Sequence, residues 1–365
     1  MTVRAAVIPQ PGGPVELREY PEPELEPGAA LLRTLYTEVC GTDVHLLHGQ
    51  LDAAPYPLIP GHINVGTIET MAGAVTDALG QPLGEGDLVT FLDVHETCNA
   101  CWQCLVAKTT TRCPSRKVYG ITYGADEGLL GGWAEKIYLK PGVKIARLPE
   151  GLTPEAFIAG GCALPTAFHA IERGEVGLGD TVVVQGSGPV GLMATALARL
   201  AGANRVILIG APELRLEAGE RLGADATINI EGTAAAERRE QVLALTGGHG
   251  ADVTIEATGA PAAVPEGMQL TRDAGVYVMV GQYTDAGEIA INPHHDINRK
   301  HLDVRGCWGI DFSHFHRSLQ VLARNLERVP WEAVISRYYT LDEAAQALDD
   351  VEQLRVVKAV LKPNG

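Results

Sequence analysis

One stretch constrains the fold more than any other: DTVVVQGSGPVGLMATALARLAGANRVILIG, from Asp180 to Gly210. TVVVQ is a short apolar run without alternation, as expected of a strand buried on both faces of a sheet. Glycines follow at once. Apolar Val190, Met193, Leu197 and Leu200 then recur near the 3.6-residue helical period, and RVILIG reads as a second buried strand. ADATINI, ADVTIEATG and AGVYVMVGQ follow as further strand candidates separated by helical stretches. Apolar strands alternating with helices predict an α/β fold with a doubly wound parallel sheet.

The turn in that stretch is specific. Gly186, Gly188 and Gly191 spell G-x-G-x-x-G between a strand and a helix, the context in which the pattern cradles a dinucleotide. The first glycine permits the tight turn, the second lets backbone approach a pyrophosphate, and the third lets helix and sheet pack closely. The helix N-terminus favours the phosphate charge. An ordinary strand–helix turn is the bland alternative. Pro189 and Val190 inside the motif, with Val280 and Cys307 downstream, complete the candidate contacts to NAD or NADP. The acid expected at the end of the next strand, for the adenosine ribose, is replaced by Gly210. Arg215 either reaches the ribose or is a solvated helix residue, so NAD versus NADP stays open.

Before Asp180 the texture differs: RAAVIP, AALLRTLY, LVTFLDV and EKIYLK are short β-like runs broken by Pro and Gly. The C-terminal YYTLDEAAQALDDVEQLRVVKAVLKP adds a helix and a strand unlike a further unit of the parallel sheet. At 365 residues the chain suits two domains. Hydrophobic residues at 46% can fill a core, and a net charge of −16 disfavours nucleic acid or an anionic membrane as partner. The N-terminal segment has no signal-peptide pattern. No apolar run approaches the roughly 20 residues of a membrane span, so a cytoplasmic protein is expected. Seven cysteines in a reducing compartment read as metal ligands or reactive thiols rather than as disulfides.

Four of them stand together. CNACWQCLVAKTTTRC places Cys98, Cys101, Cys104 and Cys113 so that they can wrap one ion tetrahedrally, which makes a closed structural zinc site. An iron–sulfur cluster or a redox dithiol are the alternatives. Cys40, Cys162 and Cys307 remain. Cys40 with His62 and Cys162 could form a Cys₂His catalytic set with one open position. Spacing alone leaves the possibility that each is simply a buried thiol or a core histidine.

Taken in order, CGTDVH, PGH at Pro60–His62, CNACWQC with its fourth cysteine, GCALPTAFHA and GSGPVG resemble the zinc-dependent medium-chain alcohol dehydrogenase family over essentially the whole chain. The resemblance implies a GroES-like β-rich catalytic domain, residues 1–156 and 311–365, around a Rossmann NAD(P)-binding domain, residues 157–310. It implies two zinc ions per chain, the catalytic one on Cys40, His62 and Cys162. Thr42 matches the hydroxyl that accepts the alcohol proton, His45 the outer member of a proton relay, and Asp43 the carboxylate that orients the ligand histidine. The implied activity is hydride transfer between an alcohol and NAD(P), with an alcohol, aldehyde or ketone as substrate, in a homodimer or homotetramer.

Two departures stand out. The family usually carries glutamate after the ligand histidine, where this chain has Ile63, and Gly210 lacks the ribose-binding acid. They are the support for a second reading, a non-catalytic zinc- and nucleotide-binding protein of the same fold. A zinc-free quinone reductase would need neither the ligand set nor the cysteine lobe. By the same resemblance Val94, His95 and Trp133 fall near the substrate cleft, although His95 could equally be a hydrogen-bonded structural residue. His294, His295 and His301, and His314 with His316, look like a further metal site, but are read as surface or subunit-contact residues.

Overall fold

The computed structural model of the chain describes residues 2–52 and 54–365. They divide into two compact units: residues 2–52, 54–161, 311–326 and 335–365, and residues 162–310 with 327–334.

The second unit is built on the stretch that opened the sequence reading. Thr181–Gln185, Arg205–Gly210, Ala226–Asn229, Ala251–Glu256, Thr271–Met279 and Asp303–Gly306 form one six-stranded sheet. All its pairings are parallel, with Thr181–Gln185 between Arg205–Gly210 and Ala251–Glu256. In chain order the strands lie 3-2-1-4-5-6, the doubly wound order whose switch point falls beside the first strand. Val182, Val183 and Val184 are all fully buried. At ~1.5–3 kcal/mol per buried aliphatic side chain, that run alone explains why the strand sits centrally. The helix Pro189–Ala201 starts with proline directly after Gly188, where a fixed φ helps, and stops at Gly202 in the left-handed region.

In the first unit, a seven-stranded sheet runs Ile335–Thr340, Lys358–Lys362, Ala30–Val39, Asn64–Met71, Leu88–Phe91 and Ile145–Arg147, with Lys136–Leu139 also on Ala30–Val39. Two apolar clusters flank it: one around Val3, Val39, Ile59, Trp133, Tyr339 and Leu361, the other around Leu32, Ile68, Phe91, Tyr119 and Ile137. The C-terminal strand therefore returns to this sheet, antiparallel to Ala30–Val39. The helix Pro154–Gly160 packs on Ala30–Val39 and Asn64–Met71, which keeps residues up to Gly161 with the first unit. The turn Trp331–Val334 packs on the helix Glu213–Arg221 and so belongs with the second. No helix among the described residues is long and apolar enough to cross a membrane.

Candidate metal centres and nucleotide site

Strand pairing brings two distant ligand candidates together. Ala30–Val39 and Asn64–Met71 are antiparallel with Thr37 opposite Asn64, so Cys40 leaves one strand where His62 enters the other. Cys40 is the N-cap of the helix Gly41–Leu47. Its N–H donates to Asp43 Oδ2 at 2.9 Å, and the N–H of Gly61 donates to Asp43 Oδ1 at 3.3 Å. One buried carboxylate thus ties the two ligand-bearing backbones. It acts on the segment carrying His62 through Gly61, rather than through a hydrogen bond to the ring.

Cys162 follows Gly161 directly. Gly161 has φ +51, and a Cβ there would lie 1.8 Å from Glu38 Oε2 and 2.4 Å from Lys358 Nζ. Only glycine lets the chain pass so close to that pair and deliver Cys162. The result is a group of four donors, Glu38, Cys40, His62 and Cys162, whose ligand atoms all lie within 4.8 Å of one another. Glu38, Cys40 and His62 are buried.

The electrostatics fit a cation. Burial alone would lower the His62 pKa, but the negative charges of Cys40, Asp93, Asp43 and Glu38 outweigh it and raise the imidazole to about 9. Burial pushes the Asp43 and Asp93 carboxyls upward, against the pull of His62. His62 Nδ1 is buried without a hydrogen-bond partner. Three buried carboxylates and two cysteines hold a proton on the His62 ring where a divalent ion could take its place, and Cys40, His62 and Cys162 make up a Cys₂His catalytic zinc set.

The second group is local. Cys98, Cys101, Cys104 and Cys113 have ligand atoms within 4.8 Å of one another. The Sγ atoms of Cys101 and Cys104, and of Cys113 and Cys98, are 3.5 Å apart. A tetrahedral S₄ site with Zn–S of about 2.3 Å has edges of about 3.8 Å, so the thiols are close to zinc geometry. The Ala100 N–H, with Cys101 and Cys113, draws the Cys98 thiol down to about 6, while desolvation pushes Cys104 up to about 12. None of the seven cysteines is in a disulfide.

Thr42 and His45 stand on the helix that Cys40 caps, and His45 Nδ1 is 2.6 Å from Gln50 Oε1. The glycine turn has the geometry a phosphate cradle needs. Gly186 has φ +105, and a Cβ on Gly191 would lie 1.8 Å from Gly186 O. Gly210 has a cause of its own: a Cβ there would meet Ser187 Oγ at 2.3 Å and Ser187 Cβ at 2.5 Å. Ser187 Oγ donates to Ala211 O at 3.0 Å, so the serine occupies the space a longer residue at 210 would need. Arg215 is 7% exposed, and burial lowers its guanidinium pKa, so it is no solvated helix residue. Val280 and Cys307 are buried, and burial pushes the Cys307 thiol up to about 12.

The three pocket candidates are buried or held by partners in the scaffold. Val94 is buried in the short strand Val94–Glu96. His95 Nδ1 lies 2.7 Å from Tyr123 Oη and Nε2 lies 3.1 Å from Pro141 O, so both ring nitrogens are engaged in the scaffold. Trp133 is fully buried, and its Nε1–H donates to Glu38 O at 3.2 Å. These two residues act as supports within the first unit. The histidine clusters form no metal group among the described residues: His314 caps a helix with Asp311, His316 stacks on Phe312, and His294 and His295 meet edge to face. Glu38 was missed by the sequence reading. Its signal is EVC: along an extended strand, residues two apart share a face, so Glu38 and Cys40 point the same way.

Comparison with known proteins agrees along the chain. Residues 26–150 match the alcohol dehydrogenase GroES-like domain, and residues 189–324 match zinc-binding dehydrogenase. The chain is 37% identical to 5-exo-hydroxycamphor dehydrogenase from Pseudomonas putida, covering 98% of each. It is similar to the crystal structure of an alcohol dehydrogenase from Thermotoga maritima, with 32% identity, TM-score 0.94 and full coverage of both chains. A zinc-binding dehydrogenase from Sinorhizobium meliloti, solved bound to NADP, is 26% identical with TM-score 0.85 over the full length of both.

Proposed function

Since the chain belongs to the zinc-dependent medium-chain dehydrogenase/reductase family, we propose that its two donor groups and its glycine turn serve one reaction: hydride transfer between a secondary alcohol or its ketone and NAD or NADP. The observation that carries the reading is the convergence of Cys40, His62 and Cys162, a set that would leave zinc a further position for substrate, with Thr42 two residues beyond the first ligand. Bound zinc would supply a Lewis acid beside the reacting oxygen, and a bound nicotinamide would supply the hydride chemistry.

The chain's own residues do the rest. Cys40, His62 and Cys162 hold the catalytic ion, and Cys98, Cys101, Cys104 and Cys113 hold the structural one. Asp43 fixes the backbones of Cys40 and Gly61, which sets ligand spacing before any metal arrives. Thr42 Oγ1 accepts the alcohol proton in oxidation and returns it in reduction. His45, positioned by Gln50, exchanges that proton with solvent. Gly186, Gly188, Pro189, Val190 and Gly191 receive the pyrophosphate. Arg215 serves the adenosine end, where Gly210 offers no carboxylate to repel a 2′-phosphate.

The hydroxycamphor dehydrogenase relative supports a cyclic secondary alcohol as substrate. We place the enzyme in the cytoplasm, where its thiols stay available to metal, and assign it a homodimeric or homotetrameric assembly. A non-catalytic role is not favoured. Ile63 is a buried apolar residue beside an intact ligand set, and Gly210 is accounted for by Ser187. Elemental analysis of undialysed protein, followed by cyclic and acyclic alcohols with NAD and with NADP, tests the proposal. Two zinc ions per chain and coenzyme reduction are expected. A fully metallated chain that reduces neither coenzyme with any alcohol, and oxidises neither with the ketones, overturns it.

A further inference from the structure

Beside the three ligands just assigned lies a carboxylate with no part in that scheme. Glu38 is 1% exposed, and its oxygen lies within 4.8 Å of the donor atoms of Cys40, His62 and Cys162. Its backbone carbonyl accepts from Trp133 Nε1, and its N–H donates to Ile63 O at 3.4 Å, so the residue is fixed at both ends of its peptide. Opposite it, Lys358 Nζ lies 2.6 Å from Glu38 Oε2 and donates to Ile158 O at 3.1 Å, with the lysine side chain 2% exposed.

A buried ion pair is a costly way to stabilise a core, since desolvation offsets most of the attraction. This one stands against a donor set that has one position to fill, and carboxylate oxygen is a good zinc ligand at about 2.0–2.2 Å. We propose that Glu38 is an exchangeable fourth ligand of the catalytic zinc. It closes the site when no substrate is present and withdraws to Lys358 when an alcohol or ketone takes its place. The contact that the withdrawn state would keep is present, Lys358 Nζ lying 2.6 Å from Oε2. Lys358 then sets the balance between the two states: its charge competes with the metal for the same carboxylate. The exchange moves no electrons: the carboxylate only passes from one cation to the other.

This inference rests on the proposed catalytic zinc, and cobalt(II) substitution reads it without turnover. Cobalt in the Cys₂His site has visible bands that report its ligands, and a chelator measures how fast the catalytic metal leaves. Glu38→Gln is expected to move the cobalt bands of the resting enzyme and to speed metal release about tenfold, the scale of a lost ligand or ligand support. Lys358→Met is expected to act with the opposite sign. The freed carboxylate stays on the metal, release slows several-fold, and KM for the alcohol rises. Glu38→Asp keeps the charge for Lys358 but draws the oxygen back by one methylene. It is expected to move the bands as well, so the test survives if Gln misfolds. A purely structural ion pair would have Glu38→Gln and Lys358→Met shift metal release in the same direction and leave the bands in place. Either result overturns the proposal. A wild-type chain with no second cobalt site overturns the catalytic reading along with it, whereas a second site indifferent to Glu38 overturns this proposal alone.

Discussion

The two donor groups differ in how they are made. Cys98, Cys101, Cys104 and Cys113 come from one short stretch and are chemically identical, and all but Cys113 are open to solvent at least in part. Glu38, Cys40, His62 and Cys162 come from three remote segments, are mixed in kind, and are supported by Asp43, Asp93 and Lys358. A closed site needs only a short loop that can wrap an ion, and the ion itself supplies the order. A site that must leave room for substrate cannot rely on the ion for its shape. Its donors have to be held by strands, a helix cap and a glycine that lets the chain pass.

That contrast can be broken experimentally. Removing a ligand from the open site should cost chemistry and spare the fold. Cys40→Ser is expected to lower turnover by about three orders of magnitude, the several kcal/mol a Lewis acid contributes to the transition state, while coenzyme binding persists. Loss of folding instead would make Cys40 chiefly structural. Loosening the support without touching a ligand should weaken metal retention: Asp43→Asn is expected to speed loss of the catalytic zinc to a chelator by about 10–100-fold. The lobe should respond the other way round. Cys104→Ser is expected to drop zinc from two ions per chain to one and to lower the unfolding midpoint by about 5 °C, with turnover reduced less than tenfold. A larger activity loss there would mean that the two groups are not independent.

The smallest effect belongs to a control outside both. The side chain of His314, against partial desolvation, holds the Asp311 carboxyl at about 2, below its ordinary value of 3.8. Its contribution is therefore full above 3.8 and is lost as pH falls through about 2. Asp311→Ala should cost about 1 kcal/mol as a lost helix cap and flatten that acid limb, with zinc content unchanged. Acid unfolding curves of the two proteins check it.

Much of this architecture is written locally. TVVVQ and RVILIG announce buried parallel strands because no polar residue interrupts their apolar runs, and the glycines between the first strand and its helix have few other uses. The cysteine lobe is legible for the same reason, its ligands being neighbours in sequence. The open site is another matter. Cys40, His62 and Cys162 were separable from ordinary buried residues only through the whole-chain resemblance, because the strand register that joins them is a long-range property. Glu38 escaped because its meaning depends on a strand running unbroken to Val39. His95 and Trp133 drew attention to a pocket, yet their partners, Pro141, Tyr123 and Glu38, are remote in sequence and decide their roles. Gly210 read as a missing acid when it is a filled space.

That filled space has a historical consequence. Ser187 and residue 210 cannot change independently: an aspartate at 210 would collide with Ser187 Oγ and Cβ, whatever it offered a ribose. Ser187→Gly alone would only open a gap. An acquired ribose-binding acid thus needs glycine at 187 first and then a shift of the turn as well, because the backbone N of residue 187 would still lie 2.8 Å from the new Cβ. A designer who grafts the acid onto this chain in a single step meets a collision where a lineage would have had to wait for a neutral change.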